Sequence, residues 1–173
     1  MEIRNDANAF DLINGCIIPS MEIFAKNNIV QRILPSFSTK RIEFECFLLS
    51  SIMMILLSRK SNLMWFEKNN MVFEMIQATL PFYESTGLNN INNPRLNEDQ
   101  ITKYIFERWG KYEKKLVDSF AENNFSALYE LVHEFKATGA GSAALIELNK
   151  MRFKVSMLEC FTLMSHFGEN SKS

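Results

Sequence analysis

The chain has 173 residues and a mass of 20.1 kDa, is 47% apolar and 23% charged, and holds 6 Gly, 4 Pro and 15 Phe. That length buries a hydrophobic core without disulfides or metal, and so much Phe at a net charge of -1 leaves no room for intrinsic disorder or a low-complexity class. Lys plus Arg (19) balances Asp plus Glu (20), with 9 basic to 11 acidic residues over 1–100 and 10 to 9 over 101–173, so neither half carries a field that would draw nucleic acid or an anionic membrane.

Residues 1–6 (MEIRND) lack the basic start and apolar run of a signal peptide. Pro19 and Ser20 precede an apolar segment (Met21, Ile23, Phe24, Ile29, Val30, Ile33, Leu34) that Pro35 stops. Ser38 and Thr39 are the expected cap of a helix over residues 40–60. There Ile42, Cys46, Leu49, Met53 and Leu56 recur at alternating spacings of four and three. Phe44, Phe47, Leu48, Ile52, Ile55 and Leu57 fill the remaining circumference, which predicts a central helix contacted from several sides. Its uncharged stretch, residues 46–58, spans only about 20 Å at 1.5 Å per residue, short of the roughly 30 Å of a bilayer core.

Residues 63–79 read as a further helix, with Met64, Phe66, Met71, Met75 and Ile76 on its apolar positions and Pro81 closing it. Residues 84–97, rich in Asn with Gly87 and Pro94, read as a surface loop. Asn97 and Gln100 are spaced as a capping box. The helix that follows carries Ile101, Ile105, Trp109, Tyr112, Leu116 and Phe120 in one stripe until Asn123 and Asn124 interrupt it. A short helix with Phe125, Leu128, Val132 and Phe135 on one face comes next. The last helix places Leu145, Leu148, Met151, Val155, Leu158 and Thr162 in line as its core positions, and residues 169–173 form a frayed tail. No run demands a strand. The expectation is an all-α single domain, residues 1–173, built as a helical bundle of six or seven helices.

Candidate chemistry is sparse. Gly139, Gly141 and Ala144 match G-x-G-x-x-A, but helical spacing precedes them where a dinucleotide site needs a strand. They read instead as a helix-to-helix turn with Ser142 as N-cap. A residual option is that the turn binds an anion. His133-Glu134 lacks the second histidine of H-E-x-x-H because Ala137 stands in its place, and Glu130 with His133 forms one Glu-x-x-His half-motif without a second copy. Neither a metal nor a cofactor is expected. Cys46 and Cys160 lie in apolar runs and read as small core residues; Cys16, beside Gly15 in an expected turn, is the best candidate for a free thiol. Three scattered cysteines do not make a disulfide framework and suit a reducing, cytoplasmic compartment.

These absences point to a non-enzymatic cytoplasmic protein that binds another protein, as an inhibitor, immunity-type protein or adaptor does. Trp65 and Phe66, and again Phe82 and Tyr83, are adjacent aromatics that cannot all point inward, and they are the expected interface residues. A homodimer fits the same surplus of apolar surface. The alternative is a small-molecule-binding bundle whose helices 40–60 and 63–79 enclose a Met/Phe-lined pocket of at least about 300 Å³. A carboxylate/His metalloenzyme ranks third, and requires Glu130 and His133 to face other acidic groups.

Overall fold

The computed structural model describes residues 13–27, 36–60, 98–133 and 142–169. Every described segment is helical. A π-helical turn at Ile13–Ile17 runs into α1 (Ile18–Lys26), followed by α2 (Ser36–Lys60), α3 (Glu98–Glu122), α4 (Ser126–His133) and α5 (Ala143–Glu169). Five α-helices are thus described, where six or seven were expected for the whole chain. The expected helix over 63–79, the loop over 84–97 and tail residues 170–173 lie outside the described residues, whereas Glu169, assigned to that tail, still belongs to α5. Among the described residues no helix is long and apolar enough to cross a membrane.

Pro19 falls inside the first turn of α1 rather than before it, a position where its fixed φ suits the start of a helix. Ser20 is also helical, and its buried hydroxyl donates to the Cys16 carbonyl at 2.7 Å. Asn27 ends α1: its N–H donates to the Ile23 carbonyl at 3.1 Å, while its side-chain amide donates to Ser156 Oγ at 2.9 Å and to Glu159 Oε2 at 3.3 Å. One asparagine therefore closes a helix and ties it to α5. Helix α2 begins at Ser36, four residues ahead of the expected start, so Ser38 and Thr39 lie inside its first turn instead of capping it.

As expected, α2 is the centre of the molecule. From Ile42 to Met54 only Glu43 is exposed, and the helix packs against α1, α3, α4 and α5. Helix α3 buries the predicted stripe, with Ile105, Trp109, Tyr112 and Leu116 inside and Phe120 packed against them. It ends where the two asparagines stand. Asn123 takes a left-handed φ of 50°, and the Asn124 N–H reaches back to the Ser119 carbonyl at 3.0 Å, the long bond of a Schellman turn. Asn124 Oδ1 then accepts the Ser126 N–H at 3.1 Å and starts α4; Phe125 just ahead of it, and Leu128, Tyr129 and Val132 on its inner face, are buried. Ser142 serves as the expected N-cap of α5, its Oγ accepting the Leu145 N–H at 3.4 Å.

Helix α5 turns the opposite face inward from the one its sequence suggests. Asn149, Phe153, Ser156, Met157, Cys160 and Met164 are buried, while Leu145, Met151, Val155, Leu158 and Thr162 are exposed and Leu148 is half-buried. Two apolar stripes wind around this helix, and the inner one is diluted in sequence by Asn149 and Ser156. Ring packing favours it: the Phe153 ring centroid lies 5.8 Å from Phe24 and 5.5 Å from Tyr129, joining α5 to α1 and α4. The Ser156 hydroxyl is satisfied in place, donating to the Arg152 carbonyl at 3.0 Å and accepting from Asn27.

Candidate functional site

Three arrangements carry chemistry. The first is a buried polar network around Glu45, a carboxylate inside the otherwise apolar run of α2 and wholly shielded from solvent. Tyr104, Arg108 and Tyr112 occupy successive turns of α3 and share one face. The Tyr104 hydroxyl donates to Glu45 Oε1 at 3.2 Å, and Arg108 Nε donates to Oε2 at 3.1 Å while its Nη2 lies 2.9 Å from Oε1. The Tyr112 hydroxyl donates to Oε2 as well. Arg108 Nη2 also donates to the Leu131 carbonyl of α4 at 3.0 Å and to the Tyr112 oxygen at 3.2 Å.

Burial opposes the Arg108 charge, yet Tyr112 and the Glu45 carboxylate outweigh it and hold the guanidinium above its ordinary pKa. Burial, and then the Glu45 charge, push the Tyr112 phenol well above its usual range. With both carboxylate oxygens engaged and no face open to water, the network locks α2, α3 and α4 together. The sequence holds its trace, a lone Glu among Phe44, Cys46 and Phe47 and a Tyr-x-x-x-Arg-x-x-x-Tyr repeat, although neither matches a motif of known chemistry.

The second arrangement is the set of thiols. Cys16, Cys46 and Cys160 are free and buried. Cys16 is free, as expected, but it is buried in the π-helical turn packed against α1 and α2. Burial pushes the Cys16 and Cys160 thiols up to about 12, and Cys46 rises well above its usual value for the same reason. The Cys160 thiol donates to the Ser20 carbonyl at 3.5 Å. Protonated, enclosed thiols are poor nucleophiles and poor metal ligands. Among the described residues no group of three or more His, Cys, Asp or Glu side chains is placed to hold a metal. The Glu130 carboxylate is 60% exposed and lies 3.7 Å from Lys150 Nζ. The His133 side chain lies outside the described residues.

The third arrangement is apolar. On the outer face of α5, Met151 is 59% exposed, Val155 44% and Leu158 41%, in one line with Thr162. An open depression of about 360 Å³ runs along Val155, Leu158, Glu159 and Thr162. Elsewhere a half-open apolar pocket of about 180 Å³ is lined by Met53, Leu56 and Leu57 of α2, Leu116, Val117 and Phe120 of α3, and Phe161 of α5. It uses the methionine-bearing end of α2, as expected, but closes against α3 and α5 and falls short of the expected volume.

The interface candidates Trp65, Phe66, Phe82 and Tyr83 lie outside the described residues, as do Gly139 and Gly141 of the suspected anion-binding turn. The α5 stripe was visible in the sequence but was assigned to the core. Comparison with protein-family models, with curated proteins and with solved structures returns no match.

Proposed function

We propose that this chain is a non-enzymatic cytoplasmic protein, a single-domain bundle of six or seven helices that acts by protein–protein binding through the outer face of α5. The reading rests on one observation: three large apolar side chains at helical spacing stand exposed along about two turns of a helix whose opposite face is buried. An exposed apolar line of this kind costs solubility and marks association surfaces. Its place as inhibitor, immunity-type protein or adaptor follows from what it would hold, not from a reaction. The test is native mass spectrometry of the protein purified gently from its source cells, beside a Val155→Glu/Leu158→Glu variant. A polypeptide retained by the wild type and lost by the variant supports the reading. An identical set of species for both sinks it.

The half-open pocket favours a second reading, a site for a small apolar ligand. Its volume matches a benzene-sized guest, for which an apolar cavity of roughly 150 Å³ suffices. Titration with benzene while following the Met53 methyl resonance tests it. Saturable shifts of Met53 and the Leu116 methyls support a ligand site, and their absence removes it.

A further inference from the structure

We infer that the partner on the outer face of α5 is a second copy of this chain, its α5 packed parallel to the first; this rests on the proposal that the face binds protein and names the occupant. The stripe recurs at four, three and four residues, the spacing of a coiled-coil seam, with Met151 and Leu158 at d positions and Val155 and Thr162 at a. Burial agrees with that frame between residues 149 and 162. The buried residues Asn149, Phe153, Ser156, Met157 and Cys160 all fall at b, c or f, opposite the seam, so the fold leaves the a/d line free to meet a partner. Thr162 suits an apolar seam because its hydroxyl is already bonded to the Leu158 carbonyl at 2.9 Å, which leaves the methyl for packing.

Charge on the two flanks selects the occupant and its direction. The g flank carries Glu147 and Lys154 and borders α4, where Lys150 pairs with Glu130; the e flank carries Arg152 and Glu159 and borders α1, where Asn27 reaches Glu159. In a parallel pair, a g residue meets the e residue five positions on in the other helix. Glu147 then meets Arg152 of the second copy and Lys154 meets Glu159, and the two-fold axis repeats both, so all four contacts join opposite charges. An antiparallel pair brings e against e and g against g. It keeps Arg152 with Glu159 but sets Lys154 against Phe161, forming half as many ion pairs. A β-branched residue at a with Leu at d, as at Val155 and Leu158, likewise suits two parallel strands. The seam covers about two heptads, a short interface, so the dimer is a weak, reversible one.

Sedimentation equilibrium of the full chain across the micromolar range tests this, with circular dichroism confirming that each variant folds. The wild type is expected to associate reversibly to a dimer, and Val155→Glu to be monomeric. Lys154→Glu alone and Glu159→Lys alone each weaken the dimer about tenfold by setting like charges together. The double variant Lys154→Glu/Glu159→Lys restores it, because the two residues face each other only in the parallel arrangement. A monomeric wild type, or a dimer indifferent to Val155→Glu, overturns self-pairing. Failure of the double swap to restore a dimer that both single swaps weaken overturns the parallel arrangement. A different polypeptide that native mass spectrometry finds on the wild type and not on the Val155→Glu/Leu158→Glu variant would refute the second copy while keeping the binding face. Loss of both results would refute the face itself.

Discussion

The two sides of α2 hold their neighbours by different physics. Toward α3 and α4 the contact is organised by a buried carboxylate with a guanidinium and two phenols around it. On the side of α1 and α5 the polar groups give way to apolar packing, with Phe24 of α1 packed near Phe153 of α5, buried thiols, and hydroxyls that bond within their own helical segment. An ionic contact is directional and depends on every partner being present, whereas apolar packing is graded by volume and tolerates small changes. The first therefore sets the register of three helices, and the second supplies area.

The sharpest way to break this contrast is to remove one partner on the ionic side. Arg108→Met leaves the Glu45 charge buried and uncompensated, and urea unfolding should show a loss of about 3–5 kcal/mol. Adding Glu45→Met should recover most of that loss, giving a large coupling energy between the two sites. On the apolar side Phe153→Ala is also expected to cost about 3–5 kcal/mol, through transfer and cavity terms, but no second substitution on a facing element should rescue it in the same way.

Alkaline pH should act through the buried acids. The Cys16 and Cys160 thiols keep their protons in the folded chain to about pH 12, while unfolded thiols ionise near 9. Between those values the folded state binds more protons, so the stability present below pH 9 falls as pH rises, by about 1 kcal/mol per pH unit for each thiol. Tyr112, its pKa also raised, adds to the same trend above pH 10. Urea midpoints at pH 8 and 10.5 check this, and Cys16→Ala should flatten the dependence. The smallest effect belongs to the outer face of α5, where Val155→Ser should leave the stability of a dilute monomer within about 0.5 kcal/mol. A larger change there would mean that the face is packed.

Much of the fold was legible because helical spacing is a local property. The α3 stripe, the break at Asn123 and Asn124, the cap at Ser142 and the central position of α2 all follow from residues within one or two turns of each other. Burial of Cys46 and Cys160 was legible in the same way. The site was less so. Glu45 reads as the polar border of an apolar run, and nothing local says that Arg108, 63 residues away, will neutralise it. Cys16 beside Gly15 resembles an exposed turn until α1 and α2 cover it.

Helix α5 marks the boundary most clearly. Its helicity, its N-cap and the presence of two apolar stripes are written in the chain, since each depends on neighbours at i+3 and i+4. Which stripe faces inward was settled by partners more than a hundred residues upstream, as Phe24 and Asn27 meet Phe153 and Ser156. A helix with two apolar faces offers nearly equal local energies for either orientation. Only ring packing and satisfied hydroxyls on one side, contributed by the rest of the fold, make the choice and leave Met151, Val155 and Leu158 exposed.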